Sequence, residues 1–369
     1  MNKTAKRIGF LATGSELTTG EIVNTNTKGM AAQMQEWGMQ IGEHLICDDG
    51  EPNIKAALQF LLSRHDAVIT VGGLGPTSDD VTRKVVADVV GKSLAFHQES
   101  WDKIVTRLTR YNLVVSENNR QQAYFPQGSE VINNAFGTAN ACRVSLGNKV
   151  IFMLPGPPKE CLPTFQEAVL PYLRKHDFQS PARLFRWRLM GVSESLIAEK
   201  LDVLAKAHHL EFAYRAAYPF TDIKLMLDPH CKNHSKILME VESLVRPYFA
   251  THLDQTLTAQ LRQYLSEKPK TLFIEDEATH DYFLQKLMDT HTEPLFVKQA
   301  EKAGFHIKIT GLKAFWNQNR DPDHIIDSFD VTIDFQGKTH HCSSQVFLRG
   351  EETLDFVAEF VAMKVLGLL

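Results

Sequence analysis

Short apolar runs alternate with amphipathic segments along roughly the first 175 residues. Strand-like runs lie at Ile8–Thr13, Met39–Leu45, Ala67–Val71 and Lys149–Leu154. Between the second and third runs, residues 51–64 place apolar side chains at helical spacing. Strands separated by helices of this length predict right-handed crossovers and a parallel sheet covered by helices on both faces. The predicted class is therefore α/β, with a three-layer αβα arrangement in the N-terminal part.

The pattern changes after residue 175. Residues 176–250 predict the order strand, helix, strand, strand, helix, which is typical of a small α+β module. From residue 251 onwards an amphipathic helix, a strand, three alternating segments and a final apolar helix predict a C-terminal α/β domain. We therefore expect three domains, at residues 1–175, 176–250 and 251–369.

Composition narrows the class of function. The chain has 369 residues, a net charge of −4 and a pI of about 6.4, so no broad basic surface for nucleic acid is expected. No apolar signal segment or long apolar run is visible, and no membrane association is expected. The five cysteines are scattered without metal or disulfide spacing, which indicates free thiols and a cytoplasmic location.

A glycine-rich loop follows the third strand. Gly72 to Thr77 place little side chain near the backbone, and a helix is predicted to begin near Thr82. Such a loop can bind a phosphate through its backbone N–H groups. Asp79 and Asp80 would repel that phosphate unless a cation joins them or they bind neutral hydroxyl groups. The alternative is an ordinary glycine turn in which an aspartate caps the helix.

Other polar clusters also fall at predicted strand ends. Residues 13–16 and the pair Asp48 and Asp49 join the glycine loop there. Ligands of parallel α/β sheets bind beyond the carboxyl ends of the strands, so convergence of these clusters favours a binding site. Arg120 could reach a phosphate, although a surface ion pair is the alternative for a single arginine.

Two clusters outside the first domain have simpler interpretations. His340, His341 and Cys342 are more typical of an edge-strand surface than of a metal site, because no further spaced ligands accompany them. Arg215 and Tyr218 could contact a ligand if the middle module serves as a lid, and a purely structural module is the alternative.

Several motifs, taken in order, resemble the molybdopterin-binding-like N-terminal domain of the CinA (competence/damage-inducible) family. They lie at residues 14–26, 72–82, 117–123, 134–139 and 154–160. The resemblance extends from Ile8 to Leu173, and the middle module is similar to the family's small linker domain. One departure is Asn140-Ala141, where the family usually has Pro-Gly. Another is Leu272 to Thr279, which replaces the stretch carrying the nucleophilic serine of a nicotinamide-mononucleotide deamidase, so we expect a degenerate C-terminal domain without that activity.

The resemblance implies metal-dependent hydrolysis of the pyrophosphate in an ADP-ribose-like nucleotide. It implies Glu16, Asp80 and Arg120 as catalytic residues and Asp79 with Asp80 as metal ligands. The implied cofactor is a divalent ion (Mg2+, Mn2+ or Co2+), with a role for potassium left open, and the implied assembly is a homodimer. The implied substrate-binding residues are Gly14, Ser15, Asn24, Asn26, Gly72, Gly73, Gly75, Thr77, Asn134, Gly137, Thr138, Pro155 and Gly156. The alternatives are a module that binds molybdopterin or a nucleotide without turnover, and a scaffold whose last domain recruits a partner.

Overall fold

The computed structural model describes residues 6–252, 254–317, 323 and 325–369. The chain divides into two compact units. One comprises residues 1–184 with 227–231, and the other comprises residues 185–226 with 232–369. In the part of the chain that is described, no helix combines the length and apolar character needed to span a bilayer.

The first unit alternates strands and helices through most of its length. Its strands are β1 (Arg7–Thr13), β2 (Gln40–Cys47), β3 (Ala67–Val71), β4 (Leu94–Phe96), β5 (Tyr124–Pro126), β6 (Glu130–Ile132), β7 (Ala141–Leu146) and β8 (Lys149–Leu154). Its helices are α1 (Ser15–Thr18), α2 (Thr25–Glu36), α3 (Glu51–Arg64), α4 (Thr82–Val89), α5 (Gln98–Arg110), α6 (Pro158–Thr164) and α7 (Leu170–Lys175). A π-helical turn joins α6 to α7, and a 3-10 segment at residues 117–123 precedes β5.

A six-stranded sheet in the order β2-β1-β3-β8-β7-β6 forms the middle layer. Successive residues of β1 point to opposite faces, so Phe10 and Leu11 enter different cores. The Phe10 core packs against α2, α6 and α7, and the Leu11 core packs against α3 and α4. Each large apolar side chain buried in this way stabilises the fold by about 1.5–3 kcal/mol. The predicted three-layer αβα architecture is confirmed.

The sheet is not parallel throughout. β2, β1, β3 and β8 are parallel, whereas β7 and β6 run antiparallel to their neighbours. The reason is a tight hairpin between β7 and β8, where Gly147 adopts a positive φ of 58° in the turn. The β7 strand was not predicted from the sequence.

The second unit holds two four-stranded sheets. Its strands are β9 (Arg183–Met190), β10 (Phe212–Ala217), β11 (Phe220–Leu227), β12 (Phe249–Thr251), β13 (Leu272–Asp276), β14 (Phe305–Gly311), β15 (Ile326–Phe335) and β16 (Lys338–Phe347). Its helices are α8 (Glu194–His208), α9 (His234–Val245), α10 (Leu257–Glu267), α11 (Tyr282–Leu287), α12 (Lys313–Trp316) and α13 (Glu351–Leu366). The sheet orders are β10-β11-β9-β12 and β13-β14-β15-β16. The predicted order of strand, helix, strand, strand, helix is confirmed for β9 to α9.

A buried ion pair fixes the first of these sheets. Asp222 on β11 is fully buried and accepts hydrogen bonds from Arg188 on β9 at 2.7 and 3.0 Å and from Arg215 on β10. This network occupies Arg215, which was predicted as a possible ligand contact. Tyr218, the other predicted contact, lies in the β10–β11 connection and is 37% exposed. In the second sheet, His340, His341 and Cys342 lie on the edge strand β16, as the edge-strand interpretation predicts.

Candidate functional site

A cavity of about 360 Å3 opens at the carboxyl ends of β1, β3 and β8. Loops from all three predicted polar clusters meet there, so the predicted convergence is confirmed. Its walls are formed by Thr13, Gly14, Glu16, Asp49, Gly72, Gly73, Leu74, Gly75, Pro76, Asp79, Asp80, Gln122, Thr138, Ala139, Pro155, Gly156, Pro157 and Glu160.

Three consecutive backbone amides of the glycine loop have no acceptor among the described residues. Among the described residues, none accepts a hydrogen bond from the N–H of Gly73, Leu74 or Gly75. The carbonyl groups of the same loop are used: the Gly73 oxygen accepts from the Thr82 N–H at 3.2 Å. In a trans peptide the N–H points opposite to the C=O. Because the loop carbonyls face α4, the N–H group in the same peptide unit points away from α4. Three consecutive unpaired amides in a cavity wall form an arrangement that binds anions.

Glycine is required at two positions of this loop for steric reasons. Gly73 adopts a φ of 65°, and a Cβ there would overlap the hydroxyl of buried Thr82. A Cβ on Gly75 would overlap the carboxylate of Asp80. The loop can therefore lie this close to α4 and to Asp80 only if residues 73 and 75 carry no side chain.

Asp80 closes the loop and does not cap the helix. Its Oδ2 accepts hydrogen bonds from the Thr77 N–H at 2.9 Å and from the Thr77 hydroxyl at 2.5 Å. Helix α4 begins after Val81 without a side-chain cap. The alternative in which an aspartate caps this helix is therefore wrong. The predicted binding residue Thr77 lies outside the cavity wall and acts by orienting Asp80.

Arg83 lies behind the loop. Its guanidinium donates to the Leu74 oxygen at 2.8 Å and the Gly75 oxygen at 3.4 Å, and only 3% of the residue is exposed. Burial lowers the pKa of Arg83 to about 10, so it remains charged at neutral pH. Arg83 was not among the site residues predicted from the sequence.

Glu160 lies at the start of α6 and lines the cavity, and Asn134 positions its side chain. The Nδ2 of fully buried Asn134 donates to Glu160 Oε2 at 2.6 Å. The Oδ1 of Asn134 accepts from the N–H groups of Phe136 and Gly137 at 3.0 and 3.1 Å. A Cβ on Gly137 would overlap the Glu160 carboxylate. The predicted residues Asn134 and Gly137 thus position Glu160 and do not line the cavity themselves.

Asn140, where the chain departs from the family's Pro-Gly pair, is an anchor for the same loop. Its Oδ1 accepts from the Asn134 N–H at 3.0 Å and from Lys103 Nζ at 2.6 Å, while its Nδ2 donates to Ser100 at 2.9 Å. Burial, reinforced by nearby Arg107, lowers the pKa of Lys103 to about 8. Side-chain hydrogen bonds therefore anchor the loop at the position where the family has Pro-Gly.

Glu16 lies at the start of the short helix α1, which is held by Asp49. The Ser15 N–H and hydroxyl donate to Asp49 Oδ2 at 2.9 and 3.0 Å. Ser15 is therefore turned towards Asp49 and is absent from the cavity wall, whereas Glu16 and Asp49 both belong to it. Asp49 is one of the two acids noted at the end of β2.

A second cavity of about 320 Å3 adjoins the first and shares Thr13, Glu16, Gly156 and Pro157 with it. Asn24 and Asn26 line this second cavity. Asn24 caps α2 by accepting from the Thr27 N–H at 3.2 Å. Asn26 donates through Nδ2 to the Gly156 oxygen at 2.7 Å, and its buried Oδ1 has no partner among the described residues.

Arg120 is not brought into the cavity. Its guanidinium lies over the rings of Phe96 and Trp101, at 5.1 and 5.7 Å from their centroids, and 3.9 Å from the Glu117 carboxylate. The cavity wall instead includes Gln122, whose Nε2 donates to Thr138 at 3.2 Å. The buried Gln122 Oε1 has no partner in the described chain.

Twelve of the seventeen predicted site residues line one cavity or the other. Ser15, Thr77, Arg120, Asn134 and Gly137 do not. The unpredicted wall residues that bear charge or an amide are Asp49, Gln122 and Glu160. Sequence signals existed for all three, because each falls within a polar cluster or motif already noted.

The cavity wall carries five carboxylates, on Glu16, Asp49, Asp79, Asp80 and Glu160, and none of its described residues is basic. These acids do not form a cage: no three His, Cys, Asp or Glu residues of the described chain converge as metal ligands. Mg2+ is commonly held by one or two carboxylates, with substrate phosphates and water completing its shell. The donors present therefore fit a divalent ion that binds together with a phosphorylated ligand.

Residues 9–175 match the protein family described as "Probable molybdopterin binding domain". A relative from Alkaliphilus oremlandii, named as a competence-damage inducible protein, is 32% identical over 292 residues, which cover 77% of this chain and 70% of the relative. The chain belongs to the CinA family. A CinA-like protein from Dictyoglomus thermophilum is 40% identical over 201 residues, covering 54% of this chain.

Some relatives match over about half of this chain. A competence-damage inducible protein from Clostridium acetobutylicum is 38% identical over 198 residues. The chain spans about half the length of this relative and of the Dictyoglomus protein, 48% in each case. Among solved structures, CinA from Thermoplasma acidophilum is 29% identical, with a TM-score of 0.41 over 47% of this chain and 98% of that one.

Proposed function

We propose that the first unit binds a nucleotide diphosphate such as ADP-ribose and hydrolyses it with a divalent ion. The observation that supports this most directly is the row of unpaired amides at Gly73, Leu74 and Gly75 in a wall that also carries carboxylates. Amides bind phosphate oxygens, and carboxylates bind the ion that neutralises them.

The proposed reaction is water attack on one phosphorus atom. The water oxygen forms a bond to phosphorus, the bridging P–O bond breaks, and AMP and ribose 5-phosphate leave. Glu16 accepts the proton of the attacking water. The amides of Gly73 and Gly75 donate to the phosphoryl oxygens, where negative charge increases in the transition state. Thr77 holds Asp80 in place through its two hydrogen bonds.

Asp79 and Asp80 would hold the divalent ion, Mg2+, Mn2+ or Co2+. Asp80 Oδ2 is occupied by Thr77, and no described residue donates to Oδ1. When bound, the ion polarises the phosphoryl group and offsets its charge. A requirement for potassium is tested by the same assay with sodium as the replacement.

The test is incubation of the full chain with ADP-ribose and each divalent ion, with AMP and ribose 5-phosphate separated by chromatography. We expect turnover that is lost in Asp80→Ala and retained in Glu117→Gln, a change of an 87% exposed acid outside the cavity. Retention of full turnover in Asp80→Ala, or absence of any turnover with all three ions, would reject the hydrolase proposal.

The second candidate function is binding of a molybdopterin or nucleotide without turnover. The match of residues 9–175 to the molybdopterin-binding description favours it. This function predicts that ADP-ribose or a molybdopterin raises the melting temperature although no product forms. An Asp80→Ala variant would then lose the stabilisation.

The C-terminal part is proposed to lack nicotinamide-mononucleotide deamidase activity. In the stretch that departs from the family motif, Asp276 accepts hydrogen bonds from the N–H groups of Thr279 and Phe283 at 2.8 and 3.3 Å, as well as from the Thr279 hydroxyl. These contacts close the turn with an acid, and residues 272–279 contain no serine. A cytoplasmic location and a homodimer are proposed from the family, and sedimentation of the purified chain tests the dimer.

A further inference from the structure

Arg83 is a buried cation that forms no ion pair with any carboxylate of the described residues. Its side chain donates to the oxygens of Leu74, Gly75 and Gln122, the last at 3.5 Å, and lies 5.8 Å from the Phe125 ring centroid. No acidic side chain of the described residues lies within ion-pair distance of it. The charge of Asp80 acts on Arg83 without direct contact, and this charge and the carbonyl dipoles offset only part of the cost of burying the cation.

The direction of the loop peptides connects this charge to the cavity. Arg83 holds the Leu74 and Gly75 carbonyls on the α4 side, and the N–H of Gly75 therefore points to the opposite side of the loop. The Arg83 charge and the loop amides therefore both attract an anion in the cavity. Because Arg83 is almost completely buried, water and salt screen its field far less than that of a surface residue.

We propose that Arg83 supplies, from behind the glycine loop, the positive charge that lets this acidic cavity take a phosphoryl or diphosphoryl anion. The inference rests on the proposed function, because it concerns the same site. Arg83 does not line the cavity, so it acts on the ligand through the loop and through its field. It selects for charged phosphate groups and contributes nothing to binding of an uncharged nucleoside.

The experiment is isothermal titration with the non-hydrolysable α,β-methylene analogue of ADP-ribose in excess Mg2+, with adenosine as the uncharged probe. Arg83→Gln keeps hydrogen-bond donors but removes the charge, and we expect it to weaken analogue binding about tenfold or more. Arg83→Lys keeps the charge, and we expect binding within about threefold of wild type at pH 7. Adenosine affinity should not change in either variant.

The matched control is Lys84→Gln, which removes a charge from the same helical turn. Lys84 is 56% exposed and pairs with Glu51 at 2.5 Å on the surface. We expect less than about a twofold change in analogue affinity at 0.15 M salt, because exposed charges are screened. Equal losses in Lys84→Gln and Arg83→Gln would show a general charge effect and overturn the proposal.

If Arg83→Gln does not fold, Arg83→Lys provides the test through pH. Burial lowers the pKa of a lysine, so between pH 7 and about 9 this variant should lose more analogue affinity than wild type, in which Lys103 also titrates near pH 8. Identical pH profiles would overturn the proposal, as would full analogue affinity in folded Arg83→Gln. If the analogue binds in an Arg83-dependent way but the full chain releases no AMP from ADP-ribose, only the hydrolysis proposal is rejected. If wild type does not bind the analogue, both proposals are rejected.

Discussion

Replacement of Gly73 by alanine should be the most damaging small change in the glycine loop. The backbone at Gly73 has a φ of 65°, and an alanine in this region costs about 1–2 kcal/mol. The added Cβ would also overlap the Thr82 hydroxyl and lie 3.0 Å from its Cβ and 3.2 Å from its N. Thr82 is fully buried, so it cannot move aside cheaply, and such overpacking adds about 1–3 kcal/mol. We expect a total loss of about 2–5 kcal/mol.

Gly91→Ala is the matched control for backbone strain. Gly91 has nearly the same φ, 66°, but a Cβ there would meet open space. It should therefore cost only the 1–2 kcal/mol of the left-handed backbone. The assay is calorimetric melting of the full chain, combined with titration of ADP-ribose in the presence of Mg2+. Gly73→Ala should lower both stability and affinity, whereas Gly91→Ala should leave affinity unchanged.

A double variant separates the steric effect from strain. Thr82→Ala removes the hydroxyl that the new Cβ would overlap, so Gly73→Ala should cost less in that background than in wild type. Equal losses of stability in Gly73→Ala and Gly91→Ala, with no relief from Thr82→Ala, would refute the packing derived for this loop.

Three further predictions concern other contacts. Gly137→Ala should displace the Glu160 carboxylate and overlap the buried Asn134 amide, so we expect about a tenfold loss of ADP-ribose affinity or turnover together with a lower melting temperature, as measured on the same samples. Lys103 should show a titration step near pH 8 in NMR spectra of 13C-labelled lysine, and the step should vanish in Lys103→Met. Burial raises the pKa of Asp222, but hydrogen bonds from Arg188 and Arg215 outweigh burial and hold that pKa below its ordinary value. Its contribution to stability is therefore present above about pH 4 and lost at lower pH; Asp222→Asn should cost about 3–5 kcal/mol at pH 7 and flatten the acid limb of a denaturation series.

The sequence predicted elements best where pattern and packing agree. The strand Ala67–Val71 and the start of α4 at Thr82 lie where they were predicted, because the apolar run enters both cores and the glycines end it. The β7 strand was missed because the hairpin that pairs β7 with β8 is a tertiary contact, which the local pattern does not show.

Prediction of the site was limited in a different way. The cavity was predicted from glycines and acids that follow strands in the sequence, because a parallel sheet brings the carboxyl ends of its strands to one edge. Arg83 could not be found, because nothing in the sequence distinguishes a charged residue buried behind a loop from one on a helix surface. Arg120 was placed near phosphate by its motif, yet its guanidinium stacks on two aromatic rings.

The walls of the cavity come from Thr13, Asp49, Gly75, Thr138 and Glu160, which are widely spaced along the chain. During synthesis on the ribosome, the pocket is therefore incomplete until the segment around Glu160 has emerged. At 5–20 residues per second, about 7 to 30 seconds separate the emergence of the first wall residue from the last. A nascent chain truncated before Pro155 contains the glycine loop but lacks the last part of the cavity wall. Any ligand that aids folding of this unit can therefore act only after that point.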